Sequence, residues 1–540
     1  MKFFIVLIVI FMSVTFSVFS INDIADFKVR SIERRIVEYK DTFDLSSPLN
    51  SFLTFEYLIV NGKRGLQREA SSYRIKSYMA KSGAPAVQIN ESKRNGILHR
   101  TIREVWTYKD SVAAVITDYV DSLCLIRFMS CEDGKWLNAG EDMSVTLLNA
   151  RNVVREKSHN FLSMLRRVQC LKYVPSDTLS FVNYLNEAGM EPEDYLLRML
   201  EKHKLLIYGE VHRRRISWEL MKRVISDPRF YKTTGTVYME LSTDKQKELD
   251  RFFDNETIKP DIILSIFQDV QINGWYDRGM YEFILELWKL NKSLSPKDRI
   301  RVVAVDMPRP FSSLYSKEEY SDFFDNTEDR NNWMADQIER DMRSAIHTQS
   351  HLFIVGCAHA YKSSVPGIAS AASGEDARLT VAAQLAGRFK QEDVFTVFSH
   401  TAIISNNGVI HGKIRHGVFD YAFMRTGYKP VAFSLQKSPF GMEPFDGIYE
   451  ISYNESAGNY VDNFDGYIFL EPLENEESEY ILYDIFTDDY VQELKRRAVI
   501  SDSEHERWYG LPVKDLTKEA IISNLKKATE GKKRWEALFR

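Results

Sequence analysis

The stretch LLIYGEVHRRRIS, residues 205–217, decides how the chain is read. Apolar Leu205, Leu206 and Ile207 run through Tyr208 into Gly209. Glu210, Val211, His212 and three arginines follow, and then an amphipathic stretch begins. An apolar run closed by glycine reads as a buried strand. Charged residues at the end of such a strand lie where open α/β sheets bind ligands, beyond the strands' carboxyl ends.

The same pattern returns downstream. TVYMEL ends in Glu240 and Leu241, RIRVVAVDM ends at Asp306 and Met307 before Pro308, and HLFIVGCAHA carries Gly356 and His359. Between these strands lie helical stripes, with Met280, Ile284, Leu287 and Trp288 on one face and Met334, Ile338, Met342 and Ile346 on another. DVFTVFSHTAI reads as a further strand, and VAFSL and DGYIFLEPL add two more. Strands alternating with helices predict an α/β domain, a multi-strand sheet flanked by helices, over 201–475. Two histidines and three carboxylates leave its strands at one edge, which predicts a shared site.

Before 201 the pattern differs. Residues 24–60 read mainly helical. REVWTYKDSVAAVITDYV and SLCLIRFMSCEDGKWLNAG read as strands turned at KD and EDG. A small α+β domain is expected over 40–145, with a polar helical connector over 146–200 and an appended, charged helical segment over 476–540. The first twenty residues, MKFFIVLIVIFMSVTFSVFS, have one lysine, an apolar run, and Val18 and Ser20 three and one before Ile21. This predicts a signal peptide over 1–20, hence export to the periplasm or outside, with an uncleaved anchor as the rival. No later segment is expected to span a membrane.

Composition narrows function. In 540 residues, 71 Lys plus Arg nearly balance 76 Asp plus Glu, giving −5, and no dense basic run occurs, which argues against nucleic acid. Cys124, Cys131, Cys170 and Cys357 form no CxxC pair. Cys124 and Cys131 lie on one strand, about 23 Å apart, too far for a bridge.

The motifs IYGEVH, VYMEL, VVAVDMPRP, DRNNWMADQI and FIVGCAHAYKSSVPG resemble, in that order, the superfamily of ChaN-like haem-uptake, erythromycin-esterase and Tiki proteins over about 200–400. The VPG after His359 is most similar to the ChaN branch. The resemblance implies an α/β sheet with Glu210, His212 and His359 in the site and Arg330 facing it from a helix start. Val211 departs from the small hydroxyl residue usual in esterase members, and Arg213–Arg215 match no family signature; a solvated helix start is the expectation for them, with binding of an anionic substrate as the alternative. The N-terminal layout, with its hairpin and DGKWLNAGED, resembles the NTF2-like (SnoaL-like) fold, which implies a curved sheet on helices serving as a structural or docking module or as a ligand pocket.

The chemistry expected is hydrolysis of an ester or amide, with His212 as base, Glu210 setting its tautomer and Arg330 facing an oxyanion. No GxSxG or HExxH occurs. Glu210, His212, Glu240, Asp306 and His359 are candidate ligands for a divalent metal, which the Tiki branch implies and the esterase branch argues against. The ChaN branch implies non-covalent haem on a histidine, Tyr208 or Tyr361, since no CxxCH occurs. Hydrolase, haem-binding uptake protein and binding protein with a decayed site stay open, each with a small-molecule ligand. Sequencing the exported protein is expected to start at Ile21; an intact Met1 would mean an anchor.

Overall fold

The computed structural model describes residues 27–39, 43–72, 91–119, 123–155, 157–158, 175–327, 329–344, 349–362, 379–404, 410–447, 458–476 and 479–530. The expected signal peptide, the VPG motif and Ile346 lie outside them. The chain divides into two compact units, Met1–Cys170 and Leu171–Arg540.

The first unit is one antiparallel sheet in the order β1-β2-β3-β4-β5: β1 (Phe27–Arg35), β2 (Thr101–Tyr108), β3 (Val112–Asp118), β4 (Cys124–Glu132) and β5 (Lys135–Ser144). Lys109 and Asp110, with φ of 47° and 48°, and Asp133 and Gly134, with φ of 53° and 74°, turn two of its hairpins. Paired positive φ values suit the right-handed twist of the strands they join. Phe27–Arg35 corrects the helical expectation for 24–60. It is an exposed edge strand, so its pairing with β2, not an apolar face, holds it extended. The helix Pro48–Val60 is capped by Ser47, whose hydroxyl accepts the Asn50 N–H at 3.2 Å. Leu49 and Phe52 pack on Ile102, Val105 and Val115 of the sheet. Among the described cysteines, Cys124 and Cys131, at opposite ends of β4, and Cys357 are free.

The second unit is a seven-stranded sheet in the order β13-β14-β10-β6-β9-β7-β8. Its strands are β6 (Leu205–Glu210), β7 (Thr234–Ser242), β8 (Arg301–Asp306), β9 (Ser350–Gly356), β10 (Val394–Ser399), β13 (Val431–Ser434) and β14 (Gly466–Phe469); β11 (Ala402–Ile404) and β12 (Ile410–Lys413) form a separate hairpin. All the sheet's pairings are parallel except β13 with β14. Alternate residues feed two cores. Leu206, Tyr208, Leu352 and Ile354 join one; Leu205, Ile207, Phe353 and Val355 join the other. Burial on both faces is why these strands read as continuous apolar runs.

Both flanking expectations need revision. Phe181 and Leu185 of helix Leu179–Ala188, and Tyr195, Leu196 and Leu197 of Pro192–Lys202, lie in the cores of this unit, so 179–202 is no free connector. The segment expected to be appended after 475 buries Ile481, Ile485, Tyr490, Leu494, Leu516 and Leu525 in the same core as Leu206 and Tyr208. Charge dominates its composition because only one face of helix Asp488–Ile500 is apolar. Among the described residues no helix is long and apolar enough to cross a membrane.

Helices Arg215–Ser226 and Arg278–Ser293 pack through Trp218 and Gly279. A Cβ on Gly279 would come 2.1 Å from Trp218 Cδ1, so only glycine admits the indole there. Gly279→Ala is expected to destabilise the unit by about 1–3 kcal/mol through overpacking, read as a lower urea midpoint at unchanged slope.

Candidate functional site

Parallel strands β6, β9, β7 and β8 lie side by side, so the residues leaving their carboxyl ends converge. Glu210, Glu240 and Asp306 are each at most 1% exposed. Three buried carboxylates so close demand compensation.

Arg330, first residue of helix Arg330–Ser344, supplies most of it. Its Nε donates to Asp306 Oδ1 and its Nη2 to Asp306 Oδ2, both at 2.7 Å, and Nη2 also reaches Glu240 Oε1. Arg309 adds a second cation 3.5 Å from Asp306 Oδ2. The other oxygen of Glu240 accepts the Gly356 N–H at 2.8 Å, which ties the end of β7 to the turn that carries His359. His359 Nδ1 donates to Asn331 Oδ1 at 2.7 Å, and its Nε2 accepts from Arg330 Nη1 at 3.3 Å. That tautomer follows from the partners. Both its nitrogens are engaged within the protein.

His212 is held differently. Its Nδ1 donates to Glu210 Oε1, while its side chain stays 34% exposed. The Trp275 ring meets the imidazole edge-on at 4.5 Å between centroids. Gly356 also lies against the ring: a Cβ there would come 2.8 Å from His212 Cε1 and 3.0 Å from Nε2. Only glycine at 356 leaves the imidazole its place. Each sequence-predicted residue therefore reaches one site, with the roles divided. Glu210 and His212 form one pair. Glu240, Asp306 and Arg330 form a clamp on which His359 rests.

The electrostatics follow this division. Burial alone would depress His212, but the Glu210 carboxylate outweighs it and raises the imidazole above its usual value. Burial pushes Glu210 up against that pull. Burial would raise Glu240 too, yet Arg330 holds it well below the usual carboxylate range. Burial and then the Arg330 guanidinium lower His359 to about 4, so it is neutral near pH 7. Burial pushes the Cys357 thiol to about 12, which removes it as a nucleophile.

Of the five candidate metal ligands, Glu210, His212 and Glu240 bring one ligand atom each within 4.8 Å of one another. Glu210 Oε2 is buried without a hydrogen-bond partner. Hard carboxylates beside an imidazole suit a divalent ion of the zinc or manganese kind. Asp306 and His359 are not in this group. Tyr208 and Tyr361, considered as haem ligands, are packed in the two apolar cores, 0% and 5% exposed. That leaves the histidines as the candidate axial ligands.

Three residues were missed by the sequence reading: Asn331, Asp277 and Trp275. Asn331 sits inside the quoted DRNNWMADQI motif, next to Arg330. Asp277, 1% exposed, caps helix Arg278–Ser293 through Met280 N at 3.1 Å and also accepts the Arg213 N–H at 2.6 Å. An aspartate before a helical stripe signals the cap, but nothing local signals its second bond. The expected solvated start holds for Arg215, which is exposed, and is corrected for Arg213 and Arg214. Arg214 is 1% exposed and paired with Glu476, and Arg213 pairs with Glu479 at 2.9 Å.

Residues 196–421 match the family described as haem-binding uptake, Tiki superfamily, ChaN. The second unit thus carries a ChaN/Tiki-superfamily domain, a seven-stranded α/β sheet flanked by helices. Similar solved structures include a Bacillus cereus protein (11% identity, 55% of this chain and 98% of that one, TM-score 0.39). An erythromycin esterase mutant in its open conformation (11%, 51% and 92%, 0.33) and ChaN of Campylobacter jejuni with cofacial haem (13%, 41% and 93%, 0.25) are also similar. No curated protein matches the sequence.

His359 sets a pH dependence. Its folded pKa lies below the ordinary 6.5, so between about 6.5 and about 4 the unfolded chain takes up a proton that the folded one refuses. Stability is expected to fall with pH across that window. His359→Asn should flatten the fall, read as melting temperature against pH.

Proposed function

We propose that the second unit is a hydrolase of an ester or amide, with His212 as general base. The single observation that carries this is the Glu210–His212 pair. The carboxylate on Nδ1 keeps that nitrogen protonated, so the lone pair is on Nε2 of a partly exposed imidazole. In this reading Nε2 takes a proton from water as the water oxygen bonds to the substrate carbonyl carbon. The imidazolium is stabilised by Glu210. When the tetrahedral intermediate collapses, the carbon–oxygen or carbon–nitrogen bond breaks and Nε2 returns the proton to the leaving atom. Arg330, fixed by Asp306 and Glu240 and 25% exposed, faces the developing oxyanion with its charge. His359 is a spacer here and not a second base, because its Nε2 already accepts from Arg330.

A second reading is favoured by the partnerless Glu210 Oε2 and by the gathered donors of Glu210, His212 and Glu240. Those three would hold a divalent ion, which would supply a bound water of lowered pKa. Haem binding, as the family description states for its members, is the remaining alternative, with His212 as the accessible imidazole. We place the protein outside the cytoplasm on the strength of its N-terminal sequence pattern. The NTF2-like reading of the first unit draws support from its antiparallel sheet with the helix Pro48–Val60 packed on it.

His212→Gln is expected to lower kcat/KM on a panel of esters and amides by about 10²- to 10⁴-fold with the fold retained. Because the His212 pKa is raised, wild-type activity should climb with pH through an inflection above the ordinary 6.5, and Glu210→Gln should move that inflection down. Loss of turnover with a chelator would select the metal reading. A Soret band on adding haem, absent in His212→Gln, would select haem. Wild-type rates from His212→Gln would end the base assignment.

A further inference from the structure

We infer that Glu476, Glu479 and Tyr480, all beyond the family match, are positioning residues for His212, so that the site is incomplete without the C-terminal part of the unit. The inference rests on the hydrolase reading for what His212 does, but not for how the residue is held.

It starts from Arg213, the residue after His212. Arg213 has φ of +61°, in the left-handed region. A non-glycine residue stays there only where its surroundings over-determine it. Four contacts do so. Its N–H donates to Asp277 Oδ2 at 2.6 Å, and its carbonyl accepts the Tyr480 N–H at 2.8 Å. Its Nε donates to Glu479 Oε2 at 2.9 Å, and its guanidinium lies 5.0 Å from the centre of the Tyr276 ring. Two of the four come from Glu479 and Tyr480. Tyr480 is itself held, because its carbonyl accepts the Arg278 N–H at 3.0 Å.

Arg214 repeats the arrangement in the interior. Its Nε donates to Glu476 Oε2 at 2.7 Å and its Nη1 to Ser399 Oγ, at the end of β10, at 3.1 Å. The two side chains of the pair are 1% and 6% exposed, so the cation has no water to fall back on if Glu476 loses its charge. Arg215 and Arg278 cover the Tyr480 ring, their guanidinium carbons 5.0 and 5.5 Å from its centre. The run of arginines after His212 thus reaches forward more than 250 residues in sequence to partners that no local pattern announces. If those partners are removed, Arg213 can relax to negative φ. That relaxation turns the backbone at His212 and takes Nδ1 off Glu210.

The test reads His212 itself. Full-length wild type, Glu476→Gln and the double variant Glu479→Ala/Tyr480→Pro, which removes the Glu479 acceptor and the backbone N–H at 480, are modified with diethyl pyrocarbonate across pH, and each histidine is followed by peptide mass spectrometry. Circular dichroism checks the fold. In both variants the His212 inflection should fall from its raised position. Its modification at pH 7 should quicken at least about threefold, a conservative reading of what losing a neighbouring carboxylate does to an imidazole. His359, held by Asn331 and Arg330, should not change. If Glu476→Gln fails to fold, the double variant decides, since Glu479 and Tyr480 lie nearer the surface. An unchanged His212 inflection and rate in a folded variant would overturn the inference. A wild type that hydrolyses no ester or amide, with His212 responding as described, would remove the hydrolase reading and leave the positioning standing.

Discussion

Glu240 and Asp306 stand at the carboxyl ends of the neighbouring parallel strands β7 and β8, out of reach of water, and the guanidinium of Arg330 is what makes that tolerable. Adjacent strands lie about 4.8 Å apart, so these two acids cannot avoid one another. Arg330 bonds Asp306 with two parallel hydrogen bonds and reaches Glu240 with the same Nη2. Breaking a buried pair of this kind costs about 3–5 kcal/mol, because the partner is left charged and dry. The start of helix Arg330–Ser344, the end of β8 and the end of β7 are thereby locked together. Through Glu240 and the Gly356 N–H the lock extends to β9.

That lock also explains why two histidines from similar motifs differ. His359 lies on the clamp, where the guanidinium repels a proton and Asn331 takes the other nitrogen. His212 lies one strand away, on the Glu210 carboxylate, which has no guanidinium partner among the described residues and attracts a proton. Burial presses both imidazoles toward the neutral form; the Glu210 carboxylate overcomes it at His212, and the Arg330 guanidinium adds to it at His359. Such divergence of neighbouring titratable groups is what acid–base chemistry uses.

The loop after β6 shows a second economy. Asp277 both caps a helix and holds the Arg213 N–H, so the element that covers one core also sets the His212 loop. The C-terminal stretch contributes apolar residues to that core and acidic residues to the arginines. Fold stability and loop geometry therefore draw on the same side chains.

Much of this was legible in the sequence. The strands β6 to β10 could be read because burial on both faces writes unbroken apolar runs, and the turns at Lys109-Asp110 and Asp133-Gly134 because positive φ restricts residue choice. Glu210, Glu240, Asp306 and His359 were legible as strand-end groups. Strand Phe27–Arg35 was not, since an edge strand held by backbone pairing carries little side-chain pattern. Nor were the partners of Arg213 and Arg214, the membership of 481–525 in the core, or the separation of His212 from His359. Local periodicity records which face of an element is buried. It does not record which distant charge a buried charge will meet, and only the packed sheet, by bringing Glu476 to Arg214 and Asn331 to His359, decided that.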